Sequence, residues 1–445
     1  MGQTLAVTVS ENIAGTTPLP IFHSKYANVP VALTSKPEFF LLLTIARVKL
    51  PAHGQSLLRE LLAQPLDWEY LLTMAAQHGL EPLLLHHLHN NTDGIVPQEV
   101  VQTLRVNCKA IALRNLVLSA TLREISAYLT SLQIEHISYK GPLLAEMYGS
   151  NGSLRVYRDL DFLVPPARLA AVRDALHTIG FDDKYGLTEA QQTASFRSGF
   201  EHSFTSRTGI DLDVHWHVVQ EFKSRALDID GIWARRVVAR LLDRDVPALS
   251  PEDLLVVLCL HAGHHGWMQL SHMCDLTQLF CVHGKFDGKI VRSHLGDSNT
   301  RRMVCISLRL LQKHWHIDIP AEITAMNFAD PHVERLAHRI ETEIWPAEKP
   351  ALTTSSLRWL LDRSAGEDLR DRICLLAGSI FIPSIEDFTF FRLPRVLSDF
   401  YAGLRILRLA GRYLFSQRHK WRRREVPQSM ACHSESDNIQ QGSRL

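Results

Sequence analysis

A chain of 445 residues, nearly half of them hydrophobic, has room for about two or three domains with cores of their own. Acids and bases almost cancel, to a formal charge of +1, which excludes a bulk electrostatic pull toward nucleic acid or membrane. No apolar run approaches the roughly 20 residues of a membrane span, the start of the chain lacks a secretory pattern, and the seven cysteines form no CxxC pair; the expectation is a soluble, cytoplasmic protein with reduced thiols.

Residues 1–35 are rich in Thr, Pro and Ser without periodicity and read as a flexible leader. Residues 36–132 read as a helical region. In "DWEYLLTMAAQHGL", Asp67 is placed as an N-cap and Gly79 as a stop. After Pro97 the positions Val101, Leu104, Cys108, Ile111, Asn115, Leu118, Leu122, Ile125, Leu129 and Leu132 alternate steps of three and four. That spacing predicts one apolar stripe on a long packing helix. A coiled-coil dimer is the alternative, with Asn115 and Cys108 diluting its seam.

At 133 the texture changes. "IEHISYK" predicts a strand ending at Lys140, and "GPLLAEMYG" a short helix with Pro142 in its first turn. "RDLDFLV" predicts a second strand and "PPARLAAVRDALHTIG" an amphipathic helix stopped at Gly180. "FEHSFTSRTGIDLDVHWHV" predicts a hairpin turning at Thr208-Gly209. Its second run puts Ile210, Leu212, Val214 and Trp216 on one face and Asp211, Asp213, His215 and His217 on the other. Residues 133–220 thus form an α/β core.

Residues 221–415 read as a second helical region, with Ser250-Pro251 and Asp253 as one helix start. A cluster of His261, His264, His265 and His272 with Asp275 lies here. His261 and His265, four apart, could share a metal on a helix, as in a His-based metal phosphohydrolase. The alternative is packing and polar lining of a cleft facing the α/β core. Residues 416–445 read as a basic, disordered tail. The acid-free stretch Arg405–Arg424 is read first as a terminal helix running into solvated charge, second as weak membrane-surface contact, and third as a nucleic-acid contact without an aromatic platform.

The residues that carry chemistry are acids. In "SLRVYRDLDFLV", Asp159 and Asp161 share one face of a strand. If the Asp213 strand is a neighbour, three carboxylates converge, and such a cluster needs protons or cations. Hard divalent ions prefer oxygen, so Mg²⁺ (or Mn²⁺) is the expected partner. Lys140 and Gly141, with Arg155 and Arg158 close in sequence, supply groups that suit phosphate. Asp211 competes with Asp213 for the third place; its alternative is a charge at the strand edge.

On these pieces the chain resembles the nucleotidyltransferase superfamily with the DNA polymerase β-type fold. The pattern is a strand, "KG", a helix, "DLD", and a later acid on a strand. It resembles more closely a bacterial family of uncharacterised nucleotidyltransferases, through "DWEYLLTMAAQHGLEPLLLHHL", "YKGPLLAEMYG", "LRVYRDLDFLV", "LDVHWHV", "LSPEDLLVVLCLHAGHHGWMQLSHMCDLTQLF" and, weakly, "LSDFYAGLRILRLAGRYL". The resemblance implies an α+β fold: a nucleotidyltransferase-like mixed sheet flanked by largely α-helical N- and C-terminal regions. It implies transfer of a nucleoside monophosphate from an NTP such as ATP to an acceptor, with pyrophosphate leaving and two divalent ions stabilising the attacking and leaving oxygens. Asp159, Asp161 and Asp213 would be the catalytic, metal-binding acids, with Lys140, Gly141 and Arg155 near the nucleotide. One departure stands out. The superfamily places Gly or Ser after the turn glycine, whereas Pro142 offers neither an N–H nor a hydroxyl. An inactive nucleotide- or partner-binding relative is therefore the alternative.

Overall fold

The computed structural model describes residues 36–89, 95–220, 224, 227–325, 330–347 and 369–411. The leader expected over 1–35 and the tail expected over 416–445 lie outside the described residues. Four helices come first: α1 (Pro37–Ile45), α2 (Ala52–Leu62), α3 (Trp68–Gln77) and α4 (Glu81–His89). Asp67 caps α3 by accepting from the Tyr70 amide. Gly79 follows in the left-handed conformation that ends the helix (φ 68°).

The periodic stripe folds as expected into one helix, α5 (Gln98–Ser131). Leu104, Ile111, Asn115, Leu118, Leu122, Ile125 and Leu129 are its buried line. Asn115, the polar interruption, has a structural reason. Its Nδ2 donates to the carbonyls of Gly152 (3.0 Å) and Arg155 (2.8 Å), tying the loop before the Asp-x-Asp strand to the helix.

The sheet has seven strands: β1 (Ile137–Ser138), β2 (Asp159–Leu163), β3 (Phe181–Asp183), β4 (Glu201–Ser206), β5 (Asp211–His215), β6 (Val237–Leu241) and β7 (Arg244–Ala248). Their order is β3-β4-β5-β2-β1-β7-β6. The β2–β5 and β1–β7 pairs are parallel and the others antiparallel. Interleaved with them are α6 (Gly141–Met147), α7 (Leu169–Thr178), α8 (Glu189–Ser198) and α9 (Ile229–Ala234). The β6–β7 hairpin corrects the expectation that the chain is helical after 220. These strands extend the sheet past β1, so its residues run on to Ala248.

One sheet face is apolar. Leu160 and Phe162 of β2, Leu212 and Val214 of β5, and Phe204 of β4 form a single buried cluster with Leu118–Leu129 of α5 and with Val172 and Leu176 of α7. A second core belongs to α1–α4 together with α10 (Pro251–His264), α11 (Leu270–His283), α12 (Gly288–Ser293), α13 (Ser298–Trp315), α14 (Ala321–Thr324) and α15 (Pro331–Arg339). Ile137, Tyr139 and Leu163 join this second core, which places the helical body on the sheet's other side. The fold is thus α+β, with helices flanking a mixed sheet.

Farther along, α16 (Leu369–Phe381) and α17 (Ile385–Phe390) precede a segment whose Tyr401 packs with Phe388 against Leu187 and Ala194. Arg405 and Arg408, the first arginines of the basic stretch, both bind the buried Asp387 carboxylate. Up to residue 411 that stretch therefore packs as a terminal helix, and 412–424 lie outside the described residues. No described helix is long and apolar enough to cross a membrane.

Two expectations follow from buried polar groups. Asn115→Leu keeps the branched shape but strands two carbonyls, and should cost about 1–3 kcal/mol, read from the urea midpoint. His78 is fully buried, with Nε2 3.0 Å from the Trp345 carbonyl and Nδ1 accepting from the Leu270 amide. Burial pushes it down to about 4. Below the ordinary histidine range the unfolded chain takes up a proton that the folded chain refuses, so stability present above about pH 6.5 is lost as pH falls toward 4. The loss from this group should approach about 3 kcal/mol. Denaturation midpoints across that range should show a slope that His78→Gln reduces.

Candidate active site

Backbone register builds the site. Strands β2 and β5 run parallel with Asp159 opposite Asp211, Asp161 opposite Asp213 and Leu163 opposite His215. Partners in a ladder point to the same face, so the acids of both strands share the face turned away from the apolar cluster. Strand β4 adds Glu201 opposite His215 and Ser203 opposite Asp213. Asp161, Asp213 and His215 each offer a ligand atom, and these atoms lie within 4.8 Å of one another. Asp159 shares the face but falls outside that group. Asp211 points the same way and is held at the edge by Lys184, 2.7 Å away.

Asp161 is 3% exposed and sits at the centre of the charge network. Its Oδ1 accepts from Lys140 Nζ at 2.7 Å and lies 3.0 Å from His215 Nε2. Burial pushes this carboxyl up, but Lys140 and His215 outweigh it and hold Asp161 well below the usual range. The neighbouring acids behave oppositely. Burial raises Asp159, and the Asp161 charge raises it further. Burial likewise raises Asp213, with His215 opposing and Asp161 reinforcing. Glu201, 3.3 Å from His215 Nδ1, is raised by burial despite the imidazole. Lys140 and His215 together offset part of the negative charge of Asp159, Asp161, Asp213 and Glu201.

The "KG" turn is fixed from two sides. Gly141 adopts φ 49°, and a Cβ there would meet the Asp159 carbonyl at 3.1 Å, so glycine is required. Arg155 lies beneath it: Nη1 donates to the Gly141 carbonyl (3.4 Å), while Nε and Nη2 form a fork on Asp275 of α11 (2.7 and 2.9 Å). Tyr148 donates to the same Asp275 oxygen at 2.7 Å. Arg155 thus joins the loop before β2, the turn before α6 and the helical body. Asp275, grouped by sequence with the histidines, belongs to this brace.

The histidines cluster on the helical body, close enough for the Lys140 charge to reach His261 and His272. His261 lies 4.6 Å from His265 and 5.1 Å from His272, ring centre to ring centre. Burial and the positive charge of Lys140 push His261 far down, and burial pushes His272 to about 3, so both are neutral. Among the described residues, these side chains do not bring three ligand atoms together as Asp161, Asp213 and His215 do.

A family model described as uncharacterised nucleotidyltransferase matches residues 64–316, more than half of the chain. The chain belongs to that family. The match runs from α3 to the end of α13 and takes in the whole sheet, the acid face and the histidine cluster. No curated protein matches the chain. A general nucleotidyltransferase function is what the family carries, and the acid-imidazole cluster could hold a metal.

The donor set suits a divalent ion. Two carboxylates offer hard oxygen ligands, and an imidazole is compatible with Mn²⁺ as with other transition ions. The raised Asp159 and Asp213 carboxyls mark charge that a cation would relieve. The Tyr139 ring lies 5.6 Å from that of His215, and its hydroxyl is buried with no hydrogen-bond partner among the described residues.

Sequence reasoning paired Lys140 with nucleotide, and the structure pairs it with Asp161. It placed His215 on the acid face but missed its bond to Asp161. It missed Glu201 and Ser203 altogether, although counting outward from Thr208 along the hairpin sets both opposite β5 residues already singled out. Among the described residues His217 makes a backbone contact, its amide donating to the Phe200 carbonyl.

The brace yields a stability test. Arg155→Met leaves the buried Asp275 carboxylate without its cation and should cost about 3–5 kcal/mol in urea unfolding. Pairing it with Asp275→Leu should restore much of that loss.

Proposed function

We propose that the protein transfers a nucleoside monophosphate from an NTP to an acceptor hydroxyl with release of pyrophosphate, assisted by Mg²⁺ or Mn²⁺. The observation that supports this best is the parallel register that sets Asp161 beside Asp213, with ligand atoms within 4.8 Å. Asp159, Asp161 and Asp213 would hold the divalent ions, which supply charge for the phosphates and the departing pyrophosphate.

The chain's own residues then have distinct tasks. The acceptor oxygen forms a bond to the α-phosphorus as the bond from that phosphorus to the bridging oxygen breaks. Asp213, whose carboxyl is raised and which neighbours Ser203 on β4, takes the hydroxyl proton. Gly141 lets the backbone approach the phosphates closely, and Arg155 holds that turn through its carbonyl. Lys140 supplies positive charge to the triphosphate. The neutral histidine cluster of His261 and His272 would offer hydrogen bonds without adding cations. In domain terms we assign catalysis to residues 133–220 with the β6–β7 hairpin, braced by the helical regions 36–132 and 221–415.

A second reading, a nucleotide- or partner-binding relative without transfer, is favoured by two observations. Lys140 and His215 already satisfy Asp161 Oδ1, and Pro142 removes an N–H from the first turn of α6.

Incubating the protein with each α-labelled NTP, Mg²⁺ or Mn²⁺ and a cell extract separates the two. Transfer predicts label in one product class. Asp161→Asn should reduce that label to background while circular dichroism shows the protein still folded. A wild-type protein that binds nucleotide and labels nothing supports the second reading.

A further inference from the structure

The contacts of Asp161 are one-sided. Lys140 Nζ at 2.7 Å and His215 Nε2 at 3.0 Å both converge on Oδ1. Among the described residues nothing bonds to Oδ2. The Lys140 side chain is 15% exposed and that of Asp161 3%, so the pair sits where little water screens it. A divalent ion on Oδ2 would come close to the lysine ammonium, and two cations on one carboxylate repel strongly in such a site.

Lysine can leave. Its charge sits on a flexible four-carbon stem, unlike the planar fork of Arg155, which the Asp275 carboxylate fixes at two points. Its backbone lies between β1 and α6, one residue before the Gly141 turn. The Tyr139 ring lies 5.2 Å from the ammonium. Among the described residues, Asp159, Glu201 and the His215 imidazole also act on Lys140, and His261 and His272 lie near it as neutral rings.

We propose that Lys140 is a built-in counterion of Asp161 that a divalent metal displaces, and that the displaced ammonium moves onto the nucleotide's phosphates, coupling metal entry to nucleotide binding. This rests on the metal-site reading above and adds an ordering device to it. Without nucleotide, Lys140 guards the acid face against metal. With nucleotide, the ammonium has a second anionic partner and Asp161 is released.

Equilibrium binding of Mn²⁺ to the full chain, followed by electron paramagnetic resonance, tests this without any transfer assay. With no nucleotide present, Lys140→Gln and Lys140→Met should bind Mn²⁺ roughly tenfold or more tightly than wild type. Gln keeps a hydrogen bond to Asp161 and guards against loss of folding. A wild-type measurement stands beside them. Mn²⁺ should increase acylation of Lys140 by an N-hydroxysuccinimide ester, read by peptide mass spectrometry. An NTP analogue with a methylene bridge between the α- and β-phosphates should then protect it. Equal Mn²⁺ affinities in all three proteins, or Lys140 acylation that Mn²⁺ leaves unchanged, would overturn the counterion role alone. Failure of wild type and both variants to bind Mn²⁺, with or without the analogue, would overturn the metal site as well.

Discussion

The alignment of β2 with β5 is the constraint on which the site depends. Side chains alternate along a strand, so slipping one strand by a single residue would turn Asp161 into the core and Phe162 onto the acid face. The apolar side prevents this. Leu160, Phe162, Leu212 and Val214 are each at most 2% exposed, packed between α5 and α7. Burying side chains of that kind is worth about 1.5–3 kcal/mol apiece. That sum outweighs the repulsion between neighbouring carboxylates, part of which Lys140 and His215 already cancel. The hydrophobic face therefore imposes the electrostatic problem on the polar one.

Helices far apart in sequence complete the arrangement. The polar face alone would be an open strand surface. The helical body supplies Asp275, which gathers Arg155 and Tyr148 into one knot under the Gly141 turn. Asn115 of α5 fixes the same loop from the other side through the Arg155 carbonyl. One short segment, residues 152–155, is thus held by both cores before the chain enters β2. Positioning of Asp159 and Asp161 is a property of the whole fold, which is consistent with a family match that runs from α3 through α13.

What could be read in advance divides along physical lines. Period-two alternation exposed the acid face of β2 and β5, and the steps of three and four exposed α5, because both depend only on local geometry and burial. Caps at Asp67 and Ser250 were legible for the same reason. The β6–β7 hairpin was not. Its turn uses Leu242 at φ 53° in place of a glycine or asparagine signal, and β7 is anchored by pairing with Ser138, more than a hundred residues earlier. Asn115 looked like a flaw in a stripe, since its carbonyl partners lie in a loop the stripe does not reveal. The Lys140–Asp161 pair was hidden because side-chain direction at the end of a two-residue strand is set by the tertiary fold.

Energetics also bear on why such a face exists. A buried ion pair is a poor way to stabilise a fold, because desolvating two charges offsets most of their attraction, and apolar residues of similar volume often do as well or better. Around Asp161 the fold assembles a lysine, an imidazole and three further acids, Asp159, Asp213 and Glu201, all pushed toward protonation by burial and further by Asp161 itself. The opposite face of the same strands shows that this sequence can fill sheet positions with Leu, Val and Phe. Stability alone does not account for the acid face. A face with more carboxylates than cations is one that could hold a metal, in a chain that belongs to a nucleotidyltransferase family.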